Sequence, residues 1–368
     1  MKILAYDCEV SKDEIRICDP VDVVLESPQM KETVPLIVEW YRKNRRDLPW
    51  RKNINAYRVW ISEIMLQQTR TEAVKPYFNA WMERFPHISD LAAAEEDEVL
   101  HAWQGLGYYS RARNIHRAAR EIAEKYGGKM PKEPEVIRSL PGIGEYTAGA
   151  VASIAYGEKT PAVDGNVLRV YARLYAVEDD ILKSRGRKRI AALAEETIPA
   201  DRPGDFNEAL MDLGAEVCIP KRPRCAACPL RMWCEAAARG LEEALPVRTK
   251  KKPQAVFYAA CGLLEKNGAY LMHRRPPSGM LANMWEFPMA LAENEGESAE
   301  RLEALLSGHA GEKRWALTHV FTHRIWHMRA YEMTGGTAPE GEDWRWFTPE
   351  EMRAIPLAGP HARLAAAL

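Results

Sequence analysis

Long apolar runs are missing from this chain of 368 residues: no stretch approaches eighteen continuous apolar residues, so no membrane-spanning helix is expected. The apolar run after Lys2 is only "ILAY" and meets Asp7 at once, which argues against a secretory signal. A surplus of charge is missing too. Lys and Arg number 51 against 52 Asp and Glu, so net charge alone argues neither for nor against a nucleic-acid partner. Cysteine is scarce, seven in all. The chain reads as soluble and cytoplasmic, where disulfides are rare, so a disulfide framework is disfavoured. Internal repeats of fixed period and long low-complexity tracts are absent as well.

What is present is local clustering. "YRKNRR", "RARNIHRAAR", "SRGRKR", "PKRPRC" and "VRTKKK" are basic, with acidic residues gathered elsewhere. Residues 1–29 form an acidic extension of unknown role that carries Cys8 and Cys18, and Met30 offers an alternative start. From 30 to 242 the text reads as successive helices, with apolar residues at spacings of three and four: Leu36, Ile37, Trp40, Tyr41, then Val59, Trp60, Ile64, Met65, then Val151, Ile154, Ala155. Turn-type clusters such as "DLPW", "YGGKMPKEP" and "RPGD" break it. Residues 243–254 are polar and basic and read as a linker. Residues 255–368 are rich in aromatic and β-branched runs, including "AVFYAACGLLE" and "WALTHVFTHRIWHMRAYEM", which predicts strands. The expected architecture is an all-α domain followed by an α+β domain.

Three features carry chemistry. Four cysteines, Cys218, Cys225, Cys228 and Cys234, lie within a basic loop at 218–234 with spacing C-x6-C-x2-C-x5-C. Four thiolates suit either zinc or a [4Fe–4S] cluster, and the spacing leaves both open. Cys8, Cys18 and Cys261 are isolated and read as small apolar residues. "LPGIGEYTAGA" places Gly142 and Gly144 in a tight turn between helices, where the backbone can approach a phosphate closely. Two acids stand out. Asp164 precedes an apolar-periodic helix and reads locally as its N-cap. Glu63 falls, by helical phase, near the polar edge of its helix, which predicts a solvent-facing side chain.

Taken together, "LPGIGEYTAGA", "VDGNVLRV" and the cysteine spacing resemble the helix–hairpin–helix DNA glycosylases that carry an iron–sulfur cluster. Within that superfamily, "RRDLPWR", "WISEIMLQQTR", "GLGYYSRARN" and a second domain with "GMLANMWEFP" and "HVFTH" resemble the adenine DNA glycosylases, the MutY family, over residues 31–368. The endonuclease III branch has a lysine that forms a Schiff base where this chain has Tyr146, so the resemblance implies a monofunctional enzyme that hydrolyses the glycosidic bond with water. It implies a [4Fe–4S] cluster on the four cysteines rather than zinc. It implies removal of adenine paired with 8-oxoguanine or guanine in double-stranded DNA, by a monomer.

The residue roles follow from the same resemblance. Glu63 would protonate adenine at N7 and later activate water, which requires a raised pKa. Asp164 would stabilise the oxocarbenium-like sugar, with Asn166 and Tyr146 positioning it. Arg46, Leu48, Trp50, Arg51, Leu66 and Glu208 would surround the adenine, although Trp50 and Leu66 equally suit core packing. Gln68 and Tyr108 would enter the base stack, with Thr69 also at the DNA. Lys221, Arg222 and Arg224 would meet phosphates. The C-terminal domain resembles the Nudix fold but lacks its glutamate-rich metal motif; "ESAERLEALLSG" stands nearest. No pyrophosphatase activity is therefore expected. His319, Phe321, Thr322 and His323 would read the 8-oxoguanine, with Thr322 where the family often has serine. Rival readings are a thymine or oxidised-pyrimidine glycosylase of the same superfamily, a non-catalytic iron–sulfur lesion sensor, and a Nudix nucleotide hydrolase.

Overall fold

The structure is a computed structural model that describes residues 5–9, 17–21, 28–249 and 253–368, with side chains from Glu32 onward. The readings for Cys8, Cys18 and most of the N-terminal extension lie outside the described side chains. A strand pair, β1 (Ala5–Glu9) and β2 (Ile17–Val21), precedes the helices. In chain order these are α1 (Pro28–Asn44), α2 (Ala56–Leu66), α3 (Thr71–Arg84), α4 (Ile88–Ala93), α5 (Glu96–Ala102), α6 (Ser110–Tyr126), α7 (Pro134–Ser139), α8 (Glu145–Tyr156), α9 (Gly165–Leu174), α10 (Ser184–Thr197), α11 (Pro203–Glu216) and the short α12 (Glu235–Arg239). The C-terminal part contains β3 (Ala255–Leu263), β4 (Glu265–Lys266), β5 (Ala269–Arg274), β6 (Trp285–Glu286), β7 (Met289–Ala292), α13 (Glu295–Leu306), β8 (His309–Val320), β9 (Arg324–Thr334), β10 (Trp344–Phe347), α14 (Pro349–Met352) and α15 (Gly359–Ala365). The expected order, helices and then a mixed domain, is what the chain adopts. No described helix is long and apolar enough to cross a membrane.

The chain divides into two compact units, Met1–Ile64 with Met130–Lys250, and Met65–Lys129 with Lys251–Leu368. In the first, Val167, Val170, Tyr171 and Leu174 form one buried stripe of α9, at the i, i+3, i+4, i+7 spacing of an amphipathic helix. They share a core with Ile37 and Tyr41 of α1, Ile190 and Ala194 of α10, and Leu210 and Leu213 of α11. Close approach sets two contacts. A Cβ at Gly214 would lie 2.5 Å from Cβ of Asn166, and one at Gly149 would lie 2.1 Å from the carbonyl oxygen of Pro161. On α8, Gly149 thus lets the loop before α9 pass close to the helix.

In the second unit, Trp81 meets Phe85 and Trp103 edge-on, at 5.0 and 5.5 Å between ring centres. The C-terminal part builds a four-stranded sheet of order β7-β3-β9-β8, in which β3 and β9 run parallel, and a second sheet around β5. Helices 65–129 join this part through polar contacts: Arg113 donates to the Ala282 carbonyl at 2.9 Å, Arg274 pairs with Asp97 at 2.6 Å, and Asn283 donates to Glu96 at 2.6 Å. The division into units therefore cuts across the boundary read from composition. The segment read as a linker is also anchored at its start. Leu245 is buried, Arg173 donates to its carbonyl, and Ile181 donates to that of Val247.

Candidate active site

The helical hairpin α7–turn–α8 sets the first wall. Gly142 has φ +74°, a left-handed conformation that favours glycine. Gly144 caps α8 in extended backbone, and nothing lies within 4 Å of where its Cβ would point. No internal packing demands a glycine there. Its open surface suits close approach of a ligand to the amides that start α8. Tyr146, two residues on, turns its hydroxyl inward and donates to Glu63 Oε2.

Glu63 is the first departure from the sequence reading. Helical phase predicts it at solvent, yet it is 6% exposed. Burial pushes its carboxyl up to about 7; the charges of Asp164 and Glu208 add to this, while the Tyr146 hydrogen bond and Arg51 oppose it. Near neutrality Glu63 therefore holds a proton over a substantial fraction of molecules.

Asp164 is the N-cap of α9, as its local pattern predicts. Its Oδ1 accepts from the amides of Asn166 (2.8 Å) and Val167 (2.7 Å), and its Oδ2 from Asn166 Nδ2 (2.8 Å). Burial is the larger influence and holds its pKa above the usual carboxylate range, against the pull of these three donors. The three donors all aim at its oxygens, so the hydrogen bonds, taken alone, favour the ionised carboxylate.

A buried ionic network stands on the far side of Glu63, and sequence reasoning recovered only part of it. Arg51 donates to Glu208 Oε1 at 2.7 Å and to both oxygens of Asp212 at 2.7 and 3.1 Å. Arg46 reaches Asp212 at 2.6 Å, and the Tyr41 hydroxyl donates to Glu208 Oε2 at 2.8 Å. The Asp212 side chain is wholly buried. Asp212 and Tyr41 were not anticipated. The available signal was the i, i+4 spacing of Glu208 and Asp212, set against the paired arginines of "RRDLPWR". Leu48 and Trp50 are buried in the same unit, in keeping with a packing role. Leu66 closes α2 and belongs to the second unit.

Two further arginines, marked by no motif in the sequence, brace the site. Arg169 donates to Asn166 Oδ1 (2.8 Å), to the Gly214 carbonyl (2.6 Å) and to the Cys218 carbonyl (2.7 Å). It thereby joins the Asp164–Asn166 pair to the cysteine loop. Arg173 reaches Cys218 Sγ at 3.4 Å and the carbonyls of Ile219 and Pro220. Cys218, Cys225, Cys228 and Cys234 are free thiols that line one partly open hollow, together with Arg173, Arg231 and Glu242. Burial pushes the Cys228 thiol up to about 12, and raises Cys225 and Cys234 as well. Among the described residues no three His, Cys, Asp or Glu converge as ligands of a single metal ion. A four-iron cluster binds each thiolate through a different iron, so four sulfurs spread around one hollow fit it. Lys221, Arg222 and Arg224 are exposed on this loop.

In the second unit the structure brings Gln68, Tyr108 and Thr322 together. The Tyr108 hydroxyl donates to Gln68 Oε1 at 2.7 Å and also hydrogen-bonds the Thr322 hydroxyl. Thr322 and His323 are exposed in the turn between β8 and β9. His319 meets Phe321 edge-on at 4.4 Å, and Phe321 meets the buried Trp326 at 4.8 Å. Burial and the nearby Arg363 lower the His319 pKa, which favours the neutral imidazole. Thr69 stands beside Gln68, its hydroxyl within reach of the Gln67 carbonyl.

Comparison with known proteins bears on the family and the fold. Residues 61–199 match the HhH-GPD superfamily base excision DNA repair proteins, and residues 259–367 match the NUDIX domain. The adenine DNA glycosylase of Mus musculus is 36% identical over 380 residues, covering 86% of this chain and 73% of that protein. That of Homo sapiens is 36% identical over 390 residues, covering 88% and 71%. Among solved structures, a thermostable thymine-DNA glycosylase aligns with TM-score 0.53 and 30% identity over 57% of this chain and 97% of its own. A trapped endonuclease III–DNA intermediate, at TM-score 0.50 and 23% identity over 59% of this chain and 100% of its own, shares the fold.

Proposed function

Since this chain belongs to the adenine DNA glycosylases, base-excision repair enzymes that remove adenine from DNA, we propose that it acts on adenine paired with 8-oxoguanine or guanine, with Glu63 and Asp164 as its catalytic pair. The observation that carries this reading is a buried carboxylic acid held near pKa 7 by its surroundings, beside an N-cap carboxylate whose partners favour the ionised form.

Adenine must leave the stack to be reached. As an anion it is a poor leaving group, so protonated Glu63 donates to N7 while the glycosidic bond breaks. Positive charge grows on the sugar, and ionised Asp164 stabilises or captures it. Asn166 fixes Asp164 through two of its three hydrogen bonds, and Tyr146 orients Glu63. Glu63, now ionised, takes a proton from the attacking water. Arg51, Glu208 and Arg46 border the adenine. Gln68 and Tyr108 fill the vacated stack, and the turn with His319, Phe321, Thr322 and His323 reads the opposite base. Tyr146 has no amine for a Schiff base, so an abasic site is the product.

The four cysteines fit a [4Fe–4S] cluster, which would cross-link the loop that carries Lys221, Arg222 and Arg224 and take no part in the hydrolysis. The enzyme acts as a monomer in the cytoplasm, associated with the nucleoid while on DNA. Residues 30–242 serve as the glycosylase domain and 255–368 as the 8-oxoguanine-recognition domain. The thymine-DNA glycosylase likeness spans 57% of the chain, whereas the mammalian adenine glycosylases cover at least 86% of it.

The test is single-turnover incubation with duplexes holding one adenine opposite 8-oxoguanine or guanine, beside adenine–thymine and cytosine–8-oxoguanine controls. Strand breakage at adenine only after alkali is expected, and Glu63→Gln and Asp164→Asn should each slow it by roughly 100-fold or more. Breakage without alkali would overturn the monofunctional mechanism. Lesion-specific binding with no base release would favour a sensor.

A further inference from the structure

Gln68 and Tyr108 lie 40 residues apart, on separate loops. Both are non-glycine residues in the left-handed region, with φ +57° and +48°. Such a conformation is strained for a residue with a Cβ and persists where the surroundings hold it. One buried side chain touches both loops. Arg111, in the first turn of α6, donates through Nη1 to the carbonyls of Met65 (3.1 Å) and Gln67 (2.7 Å), the approach to Gln68. Through Nη2 it donates to the carbonyls of Leu106 (3.1 Å) and Gly107 (3.1 Å), the approach to Tyr108. Its guanidinium also lies over the rings of Trp103 and Tyr108, at 5.1 and 5.6 Å. At the tips, the Tyr108 hydroxyl bonds Gln68.

We propose that Arg111 is a positioning residue for base extrusion: it locks the two loops that carry Gln68 and Tyr108 into a single wedge, assembled before DNA arrives. The proposal rests on the reading that Gln68 and Tyr108 enter the stack. A planar fork of five N–H donors can serve two pairs of carbonyls on opposite sides, which a lysine ammonium with three donors on one atom cannot. The surrounding loop is shaped for the same end. Gly105 and Gly107 have φ +102° and +72°, a Cβ at Gly105 would lie 2.1 Å from the Tyr77 hydroxyl, and Trp103 Nε1 adds a bond to the Gly107 carbonyl at 3.0 Å. A wedge held rigid in the free protein loses little freedom on insertion, so more of the contact energy goes into unstacking the base.

The test compares Arg111→Met and Arg111→Lys with the parent on two duplexes under single-turnover conditions. In one, adenine opposite 8-oxoguanine is flanked by paired bases. In the other, the flanking bases are mispaired, so the stack is already weakened. On the paired duplex Arg111→Met should slow adenine release by roughly 10- to 100-fold, and Arg111→Lys by less. On the weakened duplex both deficits should shrink to within about threefold, since the wedge has less to do there. An equal loss on both duplexes, or none on either, would overturn the proposal. Should Arg111→Met not accumulate as folded protein, Arg111→Lys carries the same comparison. A parent that releases no adenine from the paired duplex would instead sink the functional reading on which the clamp rests.

Discussion

Burial raises the Glu63 carboxyl, and that shift has a thermodynamic consequence. A carboxyl that ordinarily titrates at 4.5 is held at about 7 in the folded chain. Between those values the folded state binds more protons than the unfolded one. The contribution of this group to stability is therefore fully present below about 4.5 and is lost as pH rises through about 7. The shift corresponds to on the order of 3 kcal/mol at pH 8, and to about 1 kcal/mol at pH 5. Glu63→Gln, which keeps the shape and removes the titration, should melt higher than the parent at pH 8 and gain much less at pH 5. Calorimetry at the two pH values checks this. In the parent, adenine release should fall as pH rises through about 7, because the acid form disappears. Equal melting differences at both pH values would mean that Glu63 ionises freely, and a general acid there would lose its basis.

Helix α11 works as a girder with two chemically distinct sides. On one, Asn207 accepts from the Ala162 amide at 3.1 Å and donates to Ser153 Oγ at 2.8 Å. On the other, Glu208 and Asp212 take up Arg51, Arg46 and Tyr41. Asp212→Asn would leave Arg51 and Arg46 short of a buried counter-charge, and breaking one half of such a pair costs about 3–5 kcal/mol. A marked fall in melting temperature is expected, with slower adenine release from the fraction that remains folded. An unchanged melting curve would show that the network contributes nothing to the fold. The element types themselves are legible in the text: periodicity marks α1, α8 and α9, and aromatic and β-branched runs mark β3, β5, β8, β9 and β10. The burial of α11 is not. Its text includes four polar or charged residues, Asp205, Asn207, Glu208 and Asp212, and the arginines that satisfy Asp212 lie more than 160 residues earlier. Glu63 and Arg111 hide in the same way. Their partners come from other segments of the chain, and helical phase records only a charged residue among apolar neighbours. Motif resemblance reached Glu63, Asp164 and Glu208. Asp212, Tyr41, Arg111 and Arg169 became visible only through hydrogen bonds.

Over the whole molecule the charges nearly cancel, with a net of −1, so attraction to DNA has to come from local placement. The cysteine loop concentrates three exposed cations, Lys221, Arg222 and Arg224, on a segment whose backbone is held from behind by Arg169 and Arg173. Arg222 adopts φ +49°, a conformation that needs such support. Each phosphate contact releases condensed counterions, which makes the logarithm of affinity fall by roughly 0.9 per contact for each tenfold rise in salt. If all three cations meet phosphates, replacing them together with alanine should flatten the salt slope by about 2.7. The loss should be the same for damaged and undamaged duplexes, because phosphate contacts carry no sequence information. Fluorescence anisotropy across a salt series on both duplexes measures this directly. A flattened slope with lesion preference retained would assign the loop to backbone holding and leave discrimination to the turn with Thr322. A slope equal to the parent's would take the loop out of the DNA interface, and a cluster at the four cysteines would then have to be explained by the stability of the fold alone.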